Sequence, residues 1–240
     1  MSDPKRVVYL SAPEGIPLSE EVVKFRLIYD GPLQPSQRDP ENGQEDPISA
    51  HKHKIRKCFH GQLKELWRTN PFLSAHKVKG AGYMNHIPGA GPHFAPSPEE
   101  LVPLHDAVSD HYVENGYKFL PLVRDQWFLH CSLDILFLRR DIPGGIIQAG
   151  DIDNRIKTLI DALRKPANAL ELQGNETPGD DEEPFYCLLE DDKQVSELAV
   201  EADTLLDPNS LDEADNRRVR LVISVEVKPY FNTNLNLSFV

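Results

Sequence analysis

The fold class follows from residues 128–138, which read FLHCSLDILFL. Apolar side chains at every second position alternate with the polar residues His130, Ser132 and Asp134. This period of two predicts a β-strand with one buried face. Residues 218–228, RVRLVISVEVK, show the same alternation and predict a second strand of the same kind.

Two other segments have the spacing of an amphipathic helix. In residues 51–67 and again in residues 153–163, apolar side chains recur every three or four positions and share one helical face. Pro166 follows the second segment closely enough to stop it. Because strands and helices mix along the chain, we predict an α/β (α+β) fold, a mixed β-sheet with flanking helices. The 240 residues are enough for a substantial core, and we assign residues 1–240 to one domain.

Two connecting segments differ in composition from the rest. Residues 80–98 contain four glycines and four prolines and predict a long loop. Residues 171–184 are acidic, have no apolar periodicity and predict an insertion. The insertion has two interpretations: an autoinhibitory element that mimics nucleic acid and occludes a basic groove, or a solvated loop that touches nothing. We favour the solvated loop.

Charge is unevenly distributed along the chain. The formal net charge is -12, yet residues 171–215 carry a local net of -15, so the remaining residues together carry +3. Residues 51–79 contain eight Lys or Arg side chains against the single acid Glu65, and on a helix these are expected to point mostly to water. Such a stretch could follow a phosphate backbone, or it could be a solvated helix face. The contacts expected with nucleic acid are Lys52, Lys54, Arg56 and Lys57.

Several classes of protein are disfavoured. The apolar runs are far shorter than the roughly 20 residues of a membrane helix, and the N-terminus lacks the apolar core of a signal peptide. The three cysteines form no CxxC pair, and the nine histidines show no HExxH or paired zinc-ligand spacing. We therefore expect a cytoplasmic protein with surface histidines, no membrane association and no small-molecule cofactor.

The first block with chemical potential is residues 150–163, GDIDNRIKTLIDAL. Asp151 and Asp153 are two positions apart, so on an extended segment both carboxylates would emerge on the same side. Lys157 and Asp161 follow Asp153 at helical spacing. This spacing brings a cation beside the acids.

The second block is residues 188–195, LLEDDKQV. A third carboxylate from Asp191 or Asp192 would complete a site for Mg²⁺, which prefers hard oxygen ligands and is usually held by one or two carboxylates. Structural alternatives stay open. A carboxylate before a helix is most often an N-cap, an Asp/Lys pair four residues apart is most often a surface ion pair, and residues 190–192 could belong to the acidic run.

The two blocks together form a recognisable pattern. The order Asp-x-Asp-Asn-x-x-Lys-x-x-x-Asp-Ala-Leu, then Asp-Asp-x-Gln-Val, resembles the RusA-like family of crossover-junction endodeoxyribonucleases (Holliday junction resolvases). The resemblance implies that the catalytic, metal-binding acids are Asp151, Asp153 and Asp192 and that the catalytic lysine is Lys157. It assigns site-supporting roles to Asn154, Asp161, Asp191 and Gln194. It also makes Arg139 and Arg140, ahead of the first block, candidates for binding nucleic acid.

The resemblance further implies a small α/β homodimer with a mixed sheet and two sites on one face. The implied function is metal-dependent, structure-specific hydrolysis of phosphodiesters in branched DNA such as Holliday junctions, with Mg²⁺ or Mn²⁺ as the metal. Two alternatives remain. One is a non-catalytic module on the same scaffold that binds nucleic acid or a protein, and the other is a nuclease of different substrate specificity.

Overall fold

The computed structural model describes residues 23–36, 48–75, 77–79, 101–140, 151–172, 175, 177–206, 217–232 and 236, and the structural statements below concern these residues. The predicted Gly- and Pro-rich loop at residues 80–98 lies outside them. No helix in this part of the chain is long and apolar enough to cross a membrane.

The described residues form four helices and nine strands. The helices are α1 (Ser49–Thr69), α2 (Pro71–Ala75), α3 (Leu104–Ser109) and α4 (Asp151–Leu163). The strands are β1 (Val23–Pro32), β2 (Lys77–Lys79), β3 (Leu101–Pro103), β4 (Val113–Glu114), β5 (Tyr117–Val123), β6 (Leu129–Arg139), β7 (Phe185–Leu189), β8 (Val195–Thr204) and β9 (Arg218–Pro229). The two strands predicted from alternation are confirmed as β6 and β9.

The main sheet has the strand order β1-β9-β6-β8. β9 runs antiparallel to both of its neighbours, whereas β6 and β8 are parallel. Leu133 lies at the centre, opposite Val225 on one side and Leu198 on the other. The prediction of a mixed sheet is therefore confirmed, and β8 forms one edge of it.

Two smaller sheets complete the described strands. In the order β4-β5-β7, the β4 and β5 strands are antiparallel and β5 is parallel to β7. A separate antiparallel pair joins β2 to β3. β7 is buried along its whole length, as expected for a strand covered on both faces.

Helix α1 packs against the sheets because its apolar side chains recur at helical spacing. Ile55, Phe59 and Leu63 are buried on one face, and Trp67 continues that face one turn later. These side chains join those of both larger sheets and of α4 in one apolar core. The predicted helices at residues 51–67 and 153–163 are thus confirmed, although α4 already begins at Asp151.

Part of the predicted acidic insertion lies against α1. Lys57 Nζ is 2.7 Å from Glu182 Oε1, and Lys64 forms an ion pair with Asp181. His60 Nε2 donates a hydrogen bond to the Asp181 carbonyl oxygen at 3.0 Å. The prediction of a solvated loop that touches nothing is therefore wrong for the described residues of this segment. The physical reason is charge complementarity between an acidic segment and a basic helix.

The beginning of the insertion is buried as well. Glu171 accepts hydrogen bonds from Arg164 at 2.8 and 3.1 Å and lies 3.5 Å from the Arg56 guanidinium. Leu172 is fully buried in the cluster of side chains beneath β5 and β7. The start of the insertion is therefore part of the packed structure.

Two histidines are buried, contrary to the expectation of surface histidines. Burial lowers the pKa of His53 to about 3. His60 accepts a hydrogen bond at Nδ1 from the Tyr186 backbone N–H at 2.9 Å, and burial lowers its pKa. With Nδ1 accepting and Nε2 donating, the hydrogen bonds of His60 suit the neutral imidazole.

Candidate active site

Helix α4, edge strand β8 and the turn before β8 enclose a groove of about 660 Å³. Charged side chains from both sequence blocks line it: Asp153, Lys157, Asp161, Asp192 and Lys193. Apolar side chains form the rest of the wall: Ile152, Ile156, Ile160, Val195, Leu198 and Val200. The structure therefore brings together three of the four predicted catalytic residues.

The two blocks meet because the chain that leaves α4 joins the end of β7. Arg164 forms a parallel bridge with Leu189, and the Lys165 N–H donates to the Leu189 carbonyl at 2.9 Å. β7 leads directly into the turn that carries Asp192. This turn therefore starts beside the C-terminal end of α4.

The turn Asp192–Gln194 is held by a reciprocal capping box. The Asp191 carboxylate accepts from the Lys193 N–H at 3.1 Å, while Gln194 Oε1 accepts from the backbone N–H groups of Glu190 and Asp191 at 3.0 and 3.2 Å. The Lys193 N–H lowers the pKa of Asp191, and a hydrogen bond with the Asp192 carboxyl acts in the same direction. Asp191 and Gln194 thus shape the turn that presents Asp192 to the groove.

Asp153 and Lys157 line the groove together because they are one turn apart on α4. Asp151 lies in the same helix, and its side chain is outside the described part of the structure. The expectation of an extended segment at Asp151 and Asp153 is wrong, because both residues belong to α4, and positions two apart on a helix do not share a face. Asn154 is exposed, and its carbonyl accepts from the Ser36 N–H at 3.0 Å.

Asp161 lines the inner end of the groove but is neutralised from the protein interior. Lys52 Nζ lies 2.6 Å from Asp161 Oδ2, and the Arg164 guanidinium lies 3.5 Å from Asp161 Oδ1. Both Lys52 and Asp161 are buried. The Asp161 carboxylate therefore supports the site through a buried ion pair, since two cations already compensate its charge.

Arg56 is fully buried and fixes the C-terminal end of α4. Its Nε donates to the Arg164 carbonyl and its Nη2 to the Asp161 carbonyl, each at 3.0 Å. Burial lowers the pKa of Arg56. The prediction that Lys52 and Arg56 point to water and contact nucleic acid is therefore wrong, because both cations bind α4 in the interior.

The remaining predicted contacts with nucleic acid divide in a similar way. Lys54 is exposed, whereas Lys57 is half-buried and bound to Glu182. Arg139 is on the buried face of β6, and its prediction as a contact with nucleic acid is wrong for that reason. Arg140 is half-buried just beyond the strand. Lys54 is thus the most exposed cation of the predicted set.

Among the side chains that the structure describes, no three His, Cys, Asp or Glu groups form a ready-made metal site. Asp153 and Asp192 nevertheless face the same groove from two different elements. Mg²⁺ is commonly held by one or two carboxylates, with water and substrate phosphate completing its shell. Asp153 and Asp192 therefore have the donor chemistry that suits Mg²⁺, or Mn²⁺ with its similar ligand preference.

Sequence reasoning missed Lys193 and Arg164. Lys193 lines the groove with an exposed ammonium group 2.7 Å from Asp125 Oδ2. Arg164 touches Asp161 and Glu171. The signal for Lys193 was its position inside the second block, whereas the signal for Arg164 was its position one turn after Asp161.

Neither a family model nor a curated protein nor a solved structure matches this chain.

Proposed function

We propose that the chain is a metal-dependent, structure-specific endodeoxyribonuclease that hydrolyses phosphodiesters in branched DNA such as Holliday junctions. The observation that carries the proposal is the shared groove of Asp153, Lys157 and Asp192. These residues come from two blocks separated by 24 residues, and the RusA-like pattern assigns all of them to catalysis. A pure binding surface for DNA would gain nothing from carboxylates at that place, because they repel phosphate.

Asp153 and Asp192 would hold the metal ion, with Asp151 as the expected third donor. Bound there, Mg²⁺ or Mn²⁺ would supply Lewis-acid polarisation of the scissile phosphate and lower the pKa of a nearby water. The Asp191 and Gln194 capping box holds the turn and so orients Asp192. Without this orientation, two carboxylates on separate elements would not approach one ion reproducibly.

Lys157 would stabilise the negative charge that develops on the phosphate in the transition state. Its position one helical turn from Asp153 suits that role, because the ammonium group can attract phosphate oxygens while the Asp153 carboxylate binds the metal. Lys193, at the opposite wall, offers a second cation to the DNA backbone.

The DNA path would run from the groove toward the exposed part of α1. Lys54 is the principal phosphate contact there, with Lys57 available when Glu182 releases it. A homodimer would present two such sites to the two strands of a junction that must be cut. The RusA-like resemblance implies this homodimer, and the cysteine pattern favours a cytoplasmic location.

The alternative is a non-catalytic module on the same scaffold. It differs from the proposal only at Asp153 and Asp192, because Asp161 is already neutralised by Lys52 and Arg164 and has a structural role in either case. A site that used this acid for metal binding would have to break a buried ion pair first. The proposal therefore depends on Asp153 and Asp192 and does not depend on Asp161.

The test is cleavage of a labelled four-way junction beside matched flap, single-stranded and linear duplex DNA, with Mg²⁺, Mn²⁺ or EDTA. Intact protein should introduce paired symmetric nicks in the junction only with metal, and Asp153→Asn should abolish them. Metal-dependent cutting of the other substrates alone would mean that the protein is a nuclease with a substrate other than junctions. Tight junction binding without any cutting would favour the non-catalytic module.

A further inference from the structure

An exposed aromatic cluster lies at one end of the main sheet. It consists of Phe128, immediately before β6, and of Tyr230 and Phe231, immediately after β9. The side chains of Tyr230 and Phe231 are 56% and 62% exposed. Exposed rings at adjacent positions need a reason, because water contact with large apolar surface is unfavourable.

Ring contacts and a backbone hydrogen bond fix the arrangement of the cluster. The Phe128 ring lies 5.7 Å from the Tyr230 ring and 5.5 Å from the Phe231 ring, with interplanar angles of 77° and 63°. The Tyr230 N–H donates to the Phe128 carbonyl at 2.9 Å. Phe128 itself has a left-handed backbone with φ of 52°, which is unfavourable for a bulky side chain and persists only where its surroundings enforce it.

The aromatic cluster lies at the same end of the sheet as Asp192. Phe128 closes the turn that starts at Asp125, and Asp125 binds both sides of the Asp192 turn. Its carboxylate lies 2.7 Å from Lys193 Nζ, and its N–H donates to Glu190 at 3.0 Å. A nucleic acid strand that enters the groove at Asp192 would therefore reach the aromatic cluster next.

Cations accompany the rings. Lys24 and Lys228 are 62% and 42% exposed and flank Glu226 at 3.2 and 2.9 Å, and Glu197 lines the same groove as Lys24 and Glu226. His130 contacts the Tyr230 ring and pairs with Lys228 across the sheet. Exposed rings with cations nearby are the combination that binds unpaired nucleotides, since bases stack on rings and phosphates bind cations.

We infer that the aromatic cluster is a binding site for unpaired nucleic acid bases, which stack on Tyr230 and Phe231. The inference rests on the proposed function in one respect, because a branched substrate that is opened at its branch point would supply such bases close to the cut. It adds a second contact surface for DNA that neither sequence block contains. A protein partner on the same rings is the competing occupant.

The test compares ring-removing with ring-preserving variants of the full-length protein. The double variant Tyr230→Leu/Phe231→Leu keeps apolar side chains but removes both aromatic faces, whereas Tyr230→Phe/Phe231→Tyr keeps both rings. Leu170→Ala removes a similarly exposed apolar side chain elsewhere on the surface. Affinity for fluorescent oligothymidine is measured by anisotropy in EDTA, so that cleavage cannot interfere.

The leucine variant should bind oligothymidine about tenfold more weakly or worse, as expected for loss of at least one stacked base. The ring-preserving variant and Leu170→Ala should bind like the intact protein. If the double variant fails to fold, Phe231→Leu alone carries the comparison, because its side chain is largely exposed.

Three results would overturn the inference. The first two are no binding of oligothymidine by the intact protein and unchanged binding by the leucine variant. The third is a lower sedimentation mass of the leucine variant than of the intact protein, which would mark the rings as an interface between protein copies. If binding depends on the rings but the protein cuts no DNA, the proposed base-binding site stands and the proposed nuclease activity is wrong. If the protein cuts DNA with metal but binding does not depend on the rings, the nuclease activity stands and the base-binding site is wrong.

Discussion

Lys52 Nζ lies 2.6 Å from Asp161 Oδ2, and this buried ion pair joins the first turn of α1 to the last turn of α4. Arg56, one turn further along α1, donates to the Asp161 carbonyl. Two cations of α1 therefore hold the helix that carries Asp153 and Lys157. The geometry of the groove thus depends on a helix that contributes none of its lining residues.

Removal of the cation in this pair should destabilise the protein. Lys52→Met leaves the buried Asp161 carboxylate with Arg164 as its nearest compensation, and we expect a loss of about 3 kcal/mol in the free energy of unfolding. Urea unfolding followed by circular dichroism measures it. Lys54→Met, two positions away on the exposed side, should change stability far less. Equal effects of the two substitutions would mean that the buried pair is not stabilising.

Lys54 should act through DNA binding. Lys54→Ala should weaken DNA affinity and reduce the slope of log affinity against log salt by about one, the effect of one lost phosphate contact. Arg68→Ala removes the same charge from the far end of α1 and should leave the slope closer to that of the intact protein. Fluorescence anisotropy over a series of salt concentrations gives both slopes. An unchanged slope for Lys54→Ala would remove α1 from the DNA path.

The acidic segment should compete with DNA for Lys57. Glu182→Gln abolishes the charge that lies 2.7 Å from Lys57 Nζ, so DNA affinity and its salt slope should both rise. Glu65→Gln removes one negative charge from α1 itself and controls for net charge. Deletion of the whole segment is a poorer test, because Leu172 is buried and the deletion would disturb the core. DNA binding that responds equally to both substitutions would argue against competition.

Stability should fall as pH decreases below the ordinary histidine range. His53, with a pKa of about 3, and His60, with a lowered pKa, are neutral when folded, while the unfolded histidines take up protons near pH 6.5. The unfolded state therefore binds more protons below that pH, and folding is favoured less as the pH falls from about 6.5 toward the folded pKa values.

Urea unfolding at several pH values measures this dependence. Each histidine contributes a slope of up to about 1.4 kcal/mol per pH unit in this window. His60→Gln should reduce the slope, and His111→Gln, at an exposed position, serves as the control. A slope that His60→Gln leaves unchanged would show that His60 takes up a proton as readily in the folded protein as in the unfolded chain.

Strand and helix periodicity predicted much of the architecture. β6 and β9 alternate cleanly because one face of each packs on the core, and α1 shows helical spacing for the same reason. The edge strand β8 was not predicted. Its described side chains are mostly exposed, so the burial that produces a readable alternation is weak there.

The sequence predicted which side chains line the candidate site together, but it did not predict the buried ion pairs that support them. Residue type and spacing indicated Asp153, Lys157 and either Asp191 or Asp192, and the RusA-like resemblance implied Asp192, which lines the groove with the other two. The burial of Lys52 and Arg56 could not be read from the sequence. It arises from contacts across more than a hundred positions with Asp161 and the chain after it, and a run of basic residues looks the same whether its partner is water, DNA or a buried acid.

The proposed nuclease activity depends most on a metal ion held jointly by the two blocks, and Mn²⁺ binding followed by electron paramagnetic resonance tests this directly. The intact protein should bind Mn²⁺, and Asp153→Asn and Asp192→Asn should each weaken binding by at least about tenfold, the smallest loss usual even for residues outside the first coordination sphere. Glu201→Gln, at an exposed acid of β8, should bind Mn²⁺ like the intact protein. Binding that is absent from the intact protein, or equal in all four proteins, would contradict a metal site formed by Asp153 and Asp192.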